Sequence, residues 1–192
     1  MYVLSTRICR GFARKQIQLF INGNACRYVA LKCWQFGGGK LDVSYEHESE
    51  LYDYINHVLT KGGRLILIEA LSNRDISENA CIDKLVDMGL YKEHAIDVYQ
   101  TLNDQLGFDS DRRIIQSVMN QGYRKGKGLM WVKQKCFSKK INSELMTEVL
   151  RDYDEERAWL VFLEKHSGLD RLELRKKSKQ CGFVTSHSQL SR

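Results

Sequence analysis

Three segments of this 192-residue sequence line up with one another: ACIDKLVDMGLYKEHAI (80–96), part of GLMWVKQKCFSKKINSE (128–144) and ELRKKSKQCGFVTSHSQL (173–190). Anchored on Gly89-Leu90, Cys136-Phe137 and Gly182-Phe183, the offsets are 47 and then 46 residues. A period of that size specifies stacked helical units, each too small to bury its apolar face alone. Each unit then holds a long helix, a second helix that ends at the paired anchor residues, and a third helix. Ser77 is the expected N-cap of the second helix in the first unit. Phe137, aligned with Leu90 and Phe183, is expected in the core. Lys135 falls opposite Met88 and Cys181, so its stem is expected to be packed with the ammonium reaching outward.

From about Glu48 the pattern is helical to the end of the sequence. Before it, Ile17, Leu19 and Ile21 alternate with other residues up to Asn22-Gly23, a strong hairpin signal, and Cys26–Leu31 supplies a return strand. The sequence contains no proline, so turns rest on Gly, Asn, Asp and Ser, which suits helices closed by C-terminal glycines. The expected division is a β element over 1–47, a helical repeat over 48–106, a basic second repeat over 107–152 and a truncated third over 153–192. The fold class is mostly α, with tandem three-helix repeats in an elongated curved stack behind a small N-terminal β-hairpin element.

Charge is sharply segregated. Residues 1–40 carry +7, 41–111 carry −10, 112–140 carry +9, 141–170 carry −5 and 171–192 carry +5. The stretch 112–140 holds nine Lys/Arg and no Asp or Glu, with Tyr123, Trp131 and Phe137 set among the cations. So much like charge in one place calls for an anionic partner, and a phosphate backbone gains affinity with each neutralised phosphate. A solvated helix face is the plainer alternative. In the alignment Trp131 sits opposite Lys84 and Lys177, and lysine is rarely buried unless paired. An exposed Trp131 among Lys127, Lys133 and Lys135 would serve as a stacking anchor; otherwise it fills a gap between repeats. The other candidate ligands for nucleic acid or protein are Arg112, Arg113, Arg124, Lys125, Lys139 and Lys140, with Arg175, Lys176, Lys177 and Lys179 as a second patch.

The remaining chemistry is sparse. Six cysteines form no Cys-x-x-Cys and no zinc-type pairing with the five histidines, so no metal and no cofactor are expected. Gly37-Gly38-Gly39-Lys40 lacks the spacing and the Ser/Thr of a phosphate-binding loop. Asp152, Asp154, Glu155 and Glu156 read as the start of a helix, where carboxylates complement the dipole; the competing reading is a metal-dependent nuclease, tested by Asp154→Ala. No apolar run approaches a membrane span and the first residues lack an apolar signal core, so a cytoplasmic, non-membrane protein is expected. No catalytic residues are expected.

Taken in order, these segments resemble a known family. Leu71-Ser72-Asn73-Arg74-Asp75-Ile76-Ser77-Glu78, followed by Lys84-Leu85 and Gly89-Leu90, resembles the opening repeat of the RecX family, modulators of the RecA recombinase. Gly107-Phe108-Asp109 resembles its turn into the second repeat, Gly122-Tyr123 the pair before the basic helix, and Glu173–Lys177 through Gly182-Phe183 the third repeat. The hairpin over 16–34 with Lys40-Leu41 is similar to the β segment at the front of many members. Arg124-Lys125, Gly128, Cys136 and Ser178 depart from the family pattern. The resemblance implies a monomeric, non-enzymatic regulator that docks in the groove of the RecA–DNA filament. It would limit filament growth, ATPase, recombinase and coprotease activity, and so modulate DNA repair, recombination and the SOS response. Contact with single- and double-stranded DNA would be weak and without sequence preference. The alternative is a generic helical nucleic-acid-binding protein with no RecA dependence.

Overall fold

The structure is a computed structural model that describes residues 1–9, 15–107 and 109–184. The truncated end of the third repeat, and Phe108 in the Gly107-Phe108-Asp109 turn, lie outside the described residues. The chain divides into two compact units: unit 1 comprises 1–74 and 80–108, and unit 2 comprises 75–79 and 109–192.

Unit 1 begins with an antiparallel sheet of strands β1 (Tyr2–Cys9), β2 (Gln16–Ile21), β3 (Asn24–Ala30) and β4 (Ser44–Tyr45), in the order β3-β2-β1-β4. The expected β2–β3 hairpin forms at Asn22 and Gly23, whose φ values of 50° and 80° suit the left-handed turn that matches strand twist. The sheet is larger than a hairpin, however, because Tyr2–Cys9 is itself an inner strand that pairs with β2 over Leu4–Cys9. Its alternation is blurred by the exposed Val3, Arg7 and Ile8, and only Leu4 is fully buried.

Helix α1 (Leu31–Phe36) and the long α2 (Glu48–Asn73) pack through two glycines. A Cβ on Gly62 would stand 1.9 Å from the Cys33 carbonyl oxygen, and one on Gly37 would stand 2.0 Å from that of Val58. The helices therefore approach to backbone contact. Helix α3 (Glu78–Val86) starts directly after Ser77, and α4 (Lys92–Leu106) ends at Gly107 in the left-handed region, φ 61°. Leu51, Ile55, Leu59 and Leu67 of α2, Leu85 of α3 and Leu102 of α4 are buried core residues of this unit.

Unit 2 contains α5 (Ser110–Lys125), α6 (Leu129–Ser138), α7 (Ser143–Val149) with a 3-10 turn (Leu150–Asp152), α8 (Glu155–Lys165) and α9 (Arg171–Gln180). Its core joins Ile115, Val118, Val132, Cys136, Ile141, Trp159, Phe162 and Phe183. Trp159, Phe162 and Phe183 meet with ring centroids 5.0 to 5.3 Å apart.

Three helix ends share one hydrogen-bonded turn. Leu90 N–H donates to Leu85 O, Ile141 N–H to Cys136 O and Phe183 N–H to Ser178 O, at 3.1 to 3.2 Å. The residue before each donor has positive φ: Gly89 104°, Lys140 60° and Gly182 83°. In this closure an apolar residue after the left-handed position caps the helix. The matching anchor in the middle segment is thus Lys140-Ile141, one helical turn beyond Cys136-Phe137, and the offsets are 51 and 42 residues.

That shift corrects four assignments. Phe137 is 58% exposed, whereas Ile141 takes the core position. Lys135 is exposed and corresponds to Lys84 and Lys177. Trp131 corresponds to Ala80 and Glu173 and is half-buried. Buried Cys136 corresponds to Leu85 and to fully buried Ser178.

Candidate nucleic-acid interface

The acid-free stretch builds a surface where the end of α5, the start of α6 and the end of α9 meet. Helix α5 closes at Gly126 in the left-handed region, φ 61°, where a Cβ would stand 2.7 Å from the Phe162 amide nitrogen. This turn throws Lys127 across to α9, and the first residues of α6 seat on the α9 terminus. Gly128 N–H donates to Cys181 O at 2.9 Å and Met130 N–H to Gly182 O at 3.0 Å. A leucine at 128 could not do this, because its Cβ would meet the Gly182 carbonyl oxygen at 2.4 Å.

These contacts decide how the surface can hold an anion. Helix N-termini bind phosphate through unpaired N–H groups. Here Leu129 N–H donates to Glu155 Oε1 at 2.9 Å, Met130 N–H to Gly182 O, and Trp131 and Val132 N–H to Gly128 O. The start of α6 is closed by the protein itself, so any phosphate must be held by side chains.

Trp131 lies at the centre of those side chains. It packs in part against the unit 2 core, and the backbone of Gly182 lies so close that a Cβ there would stand 2.4 Å from the Trp131 amide nitrogen. The ammonium groups of Lys125 and Lys135 stand 5.9 Å and 5.7 Å from the centroid of its ring. These distances are at the outer reach of a cation–π contact, worth about 0.5–1 kcal/mol at an exposed site. Lys127 is half-buried and its ammonium donates to Cys181 Sγ at 3.3 Å. Helix α9 presents exposed Arg175, Lys176, Lys177 and Lys179, and its last turn ends on the Cys181-Gly182 pair that seats α6. A half-exposed indole between lysines can stack a base or an apolar side chain while the cations hold phosphate or carboxylate.

Of the other sequence candidates, Arg112, Arg113, Lys139 and Lys140 lie away from this junction. Arg112 and Arg113 begin α5, roughly 18 Å along the helix axis from Lys125 at 1.5 Å per residue. Arg112 is paired with Glu148 at 2.7 Å and Asp109 at 3.5 Å, and Arg113 with Asp75 at 3.0 Å. Lys139 and Lys140 are exposed at the far end of α6, their carbonyls accepting from the Ser77 hydroxyl at 2.6 Å and the Asn79 amide at 3.0 Å. Arg124 is exposed and its carbonyl accepts from Lys165 Nζ at 2.6 Å. Lys133 is half-buried on α6.

Tyr123 is taken up by packing. Its ring stacks on Tyr153 with centroids 4.8 Å apart, Arg157 lies 4.8 Å over it, and its hydroxyl accepts from Asp154 N–H at 3.0 Å. The Tyr153 hydroxyl donates to Lys127 O at 2.5 Å, and burial raises its pKa.

The acidic run serves the helix start, as its position in the sequence suggests. Asp154 caps α8 by accepting from Arg157 N–H at 2.9 Å, and Glu155 is the partner of Leu129. Asp111 plays a related part at α3, accepting from Glu78 N–H at 3.0 Å. Burial raises the pKa of both Asp111 and Glu78, and in Glu78 the nearby Asp111 charge adds to the rise. Among the described residues no group of three or more His, Cys, Asp or Glu is placed to hold a metal.

Sequence reasoning set Lys135 near Trp131 but missed it as an exposed ligand, because the assumed register packed its stem; the left-handed turn at Lys140 corrects that register. It also missed a shallow groove of about 330 Å³ in unit 1, between α2 and α4, lined by His57, Arg64, His94 and Asp97 among others. Those residues are too far apart in sequence to form a motif.

No protein-family model matches the chain. The regulatory protein RecX of Acinetobacter baylyi is 26% identical over 122 residues, which cover 63% of this chain and 76% of that protein. A crystal structure of regulatory protein RecX superposes with a TM-score of 0.57 at 13% identity, over 99% of this chain and 97% of that one. The chain is RecX-like in sequence and in fold. Likeness to a regulatory protein supports a regulatory role. Among the described residues no helix is long and apolar enough to cross a membrane.

Proposed function

We propose that the chain is a RecX-type regulator that binds RecA and RecA–DNA filaments. It limits filament growth and thereby ATPase, recombinase and coprotease activity, and so acts on DNA repair, recombination and the SOS response. The observation that carries this reading is the Lys125, Lys127, Trp131 and Lys135 cluster on a RecX-like fold. A cluster of this kind suits the groove of a nucleoprotein filament, where phosphates and acidic side chains lie side by side. Lysines give affinity without base readout, so contact with single- or double-stranded DNA alone is weak and indifferent to sequence. The acidic face of unit 1 meets basic RecA surface, the protein acts as a monomer in the cytoplasm, and it performs no catalysis of its own.

The test is the ATPase rate of RecA on single-stranded DNA with this protein added below stoichiometry. Strong suppression, with no nuclease or ATPase activity from the protein alone, is the expected result. Salt-sensitive DNA binding with no effect on RecA would replace this reading with that of a generic nucleic-acid binder.

A further inference from the structure

Cys181 differs from the buried thiols of Cys33 and Cys136 in having an amine against it. Burial pushes the Cys33 thiol up to about 12 and the Cys136 thiol up to about 11, and no lysine side chain donates to either sulfur among the hydrogen bonds of the described residues. At Cys181 the Lys127 ammonium lies 3.3 Å from Sγ. Both backbones are pinned. Lys127 N–H donates to Gly122 O and its carbonyl accepts from the Tyr153 hydroxyl. Cys181 N–H donates to Lys177 O and Ser178 O, and its carbonyl accepts from Gly128 N–H. Nitrogen and sulfur are thus held together by the same contacts that join α6 to α9.

We propose that Lys127 and Cys181 are a modification site: an oxidation-driven lysine–cysteine cross-link. One equivalent of a hydroperoxide oxidises the thiol to a sulfenic acid, and the peroxide is reduced to water or an alcohol. The Lys127 ammonium loses a proton to solvent, and its nitrogen lone pair attacks the sulfenic sulfur. An S–N bond forms, the S–O bond breaks, and the hydroxyl leaves as water with a second proton from the nitrogen. The product is a sulfenamide, with sulfur two electrons more oxidised than the thiol and the nitrogen neutral. Sulfenic acids condense with nitrogen nucleophiles in this way. Holding the amine at contact distance makes the step intramolecular, so it outruns a second oxidation of sulfur. The cross-link staples the α6 start to the α9 end and removes one cation from the Trp131 cluster, so peroxide weakens the surface reversibly.

The full-length protein is treated with hydrogen peroxide, its remaining thiols are alkylated, and its proteolytic peptides are weighed. The expected product joins the Lys127 and Cys181 peptides with the loss of two hydrogens, and a dithiol separates it again. Cys181→Ser and Lys127→Arg each abolish it, and circular dichroism verifies that both variants fold. Recovery of Cys181 as a free thiol, or as sulfinic acid with Lys127 unlinked, would overturn the proposal. Because the readout is mass, this result stands apart from whether the protein acts on RecA.

Discussion

Helix α3 ends at Gly89-Leu90 in unit 1, and α6 ends at Lys140-Ile141 in unit 2, with the same hydrogen bond in each turn. What differs is the space around the left-handed residue. A Cβ on Gly89 would stand 2.8 Å from the Val29 side chain and 2.9 Å from Tyr28 O, so strand β3 leaves room only for glycine. Lys140 is exposed, and the turn bears a side chain at the cost of left-handed strain alone. Glycine is therefore demanded here by what stands on the turn more than by the turn itself. The two helices also differ in charge: α3 carries Glu78 and Asp83 beside Lys84, whereas α6 has Lys133 and Lys135 and no acid. One geometry thus presents an acidic face in one place and a cationic face in another.

The largest way to break the comparison is at the third turn. Gly182→Ala combines left-handed strain with a clash against the Trp131 backbone, and should cost about 4 kcal/mol. At Gly107, φ 61° with nothing within 4 Å, the same change meets the strain alone, which should cost about 1–2 kcal/mol. Urea unfolding of the two variants checks the difference. Next, Ile141→Ala should cost about 3 kcal/mol as a large-to-small core change, while Phe137→Ala stays within about 0.5 kcal/mol as a surface change. Equal losses would restore the Cys136-Phe137 register.

That pair also marks where the sequence stopped being legible. The mostly helical character, the β2–β3 hairpin and the acid-free basic stretch follow from patterns that local physics enforces: periodicity, Asn22-Gly23 and charge exclusion. The middle turn does not, because Lys140 in the left-handed region gives no glycine signal, and Cys136-Phe137 one turn earlier imitates a small-apolar pair. Spacing one helical turn apart preserves the apolar face, so periodicity alone could not detect the slip. Strand β1 was obscured because both its faces carry exposed residues. Pairing of Arg112 and Arg113 with acids 35 to 40 positions away is likewise a tertiary fact, and no local charge count contains it.

Smaller effects sharpen the contrast. Lys140→Gly should stabilise the protein by about 1 kcal/mol by relieving the left-handed strain, measured as a higher urea midpoint. Titration separates the units by sign. Asp111 and Glu78 in unit 2 have pKa values raised by burial. The folded state holds their protons more tightly, so their contribution to stability falls as pH rises from about 4, the ordinary carboxyl value, through the raised values. In unit 1 the hydrogen bond and charge of Lys32 lower the pKa of exposed Glu69, so its smaller contribution is lost as pH falls through its folded value. Urea midpoints across this range for Asp111→Asn and Glu69→Gln check both slopes: the first variant should flatten the fall on raising pH, and the second should flatten the fall on lowering it.

The central claim is that the cationic cluster at the α5–α6–α9 junction engages the filament, while the paired arginines at the start of α5 do not. The direct measurement is binding to RecA assembled on single-stranded DNA at physiological salt, comparing the charge reversal Arg124→Glu, Lys125→Glu, Lys127→Glu with Arg112→Glu, Arg113→Glu. Loss of at least tenfold in affinity for the first set, well beyond any change in the second, is the predicted result. Unchanged filament binding by the triple reversal, with its fold intact, would contradict the account.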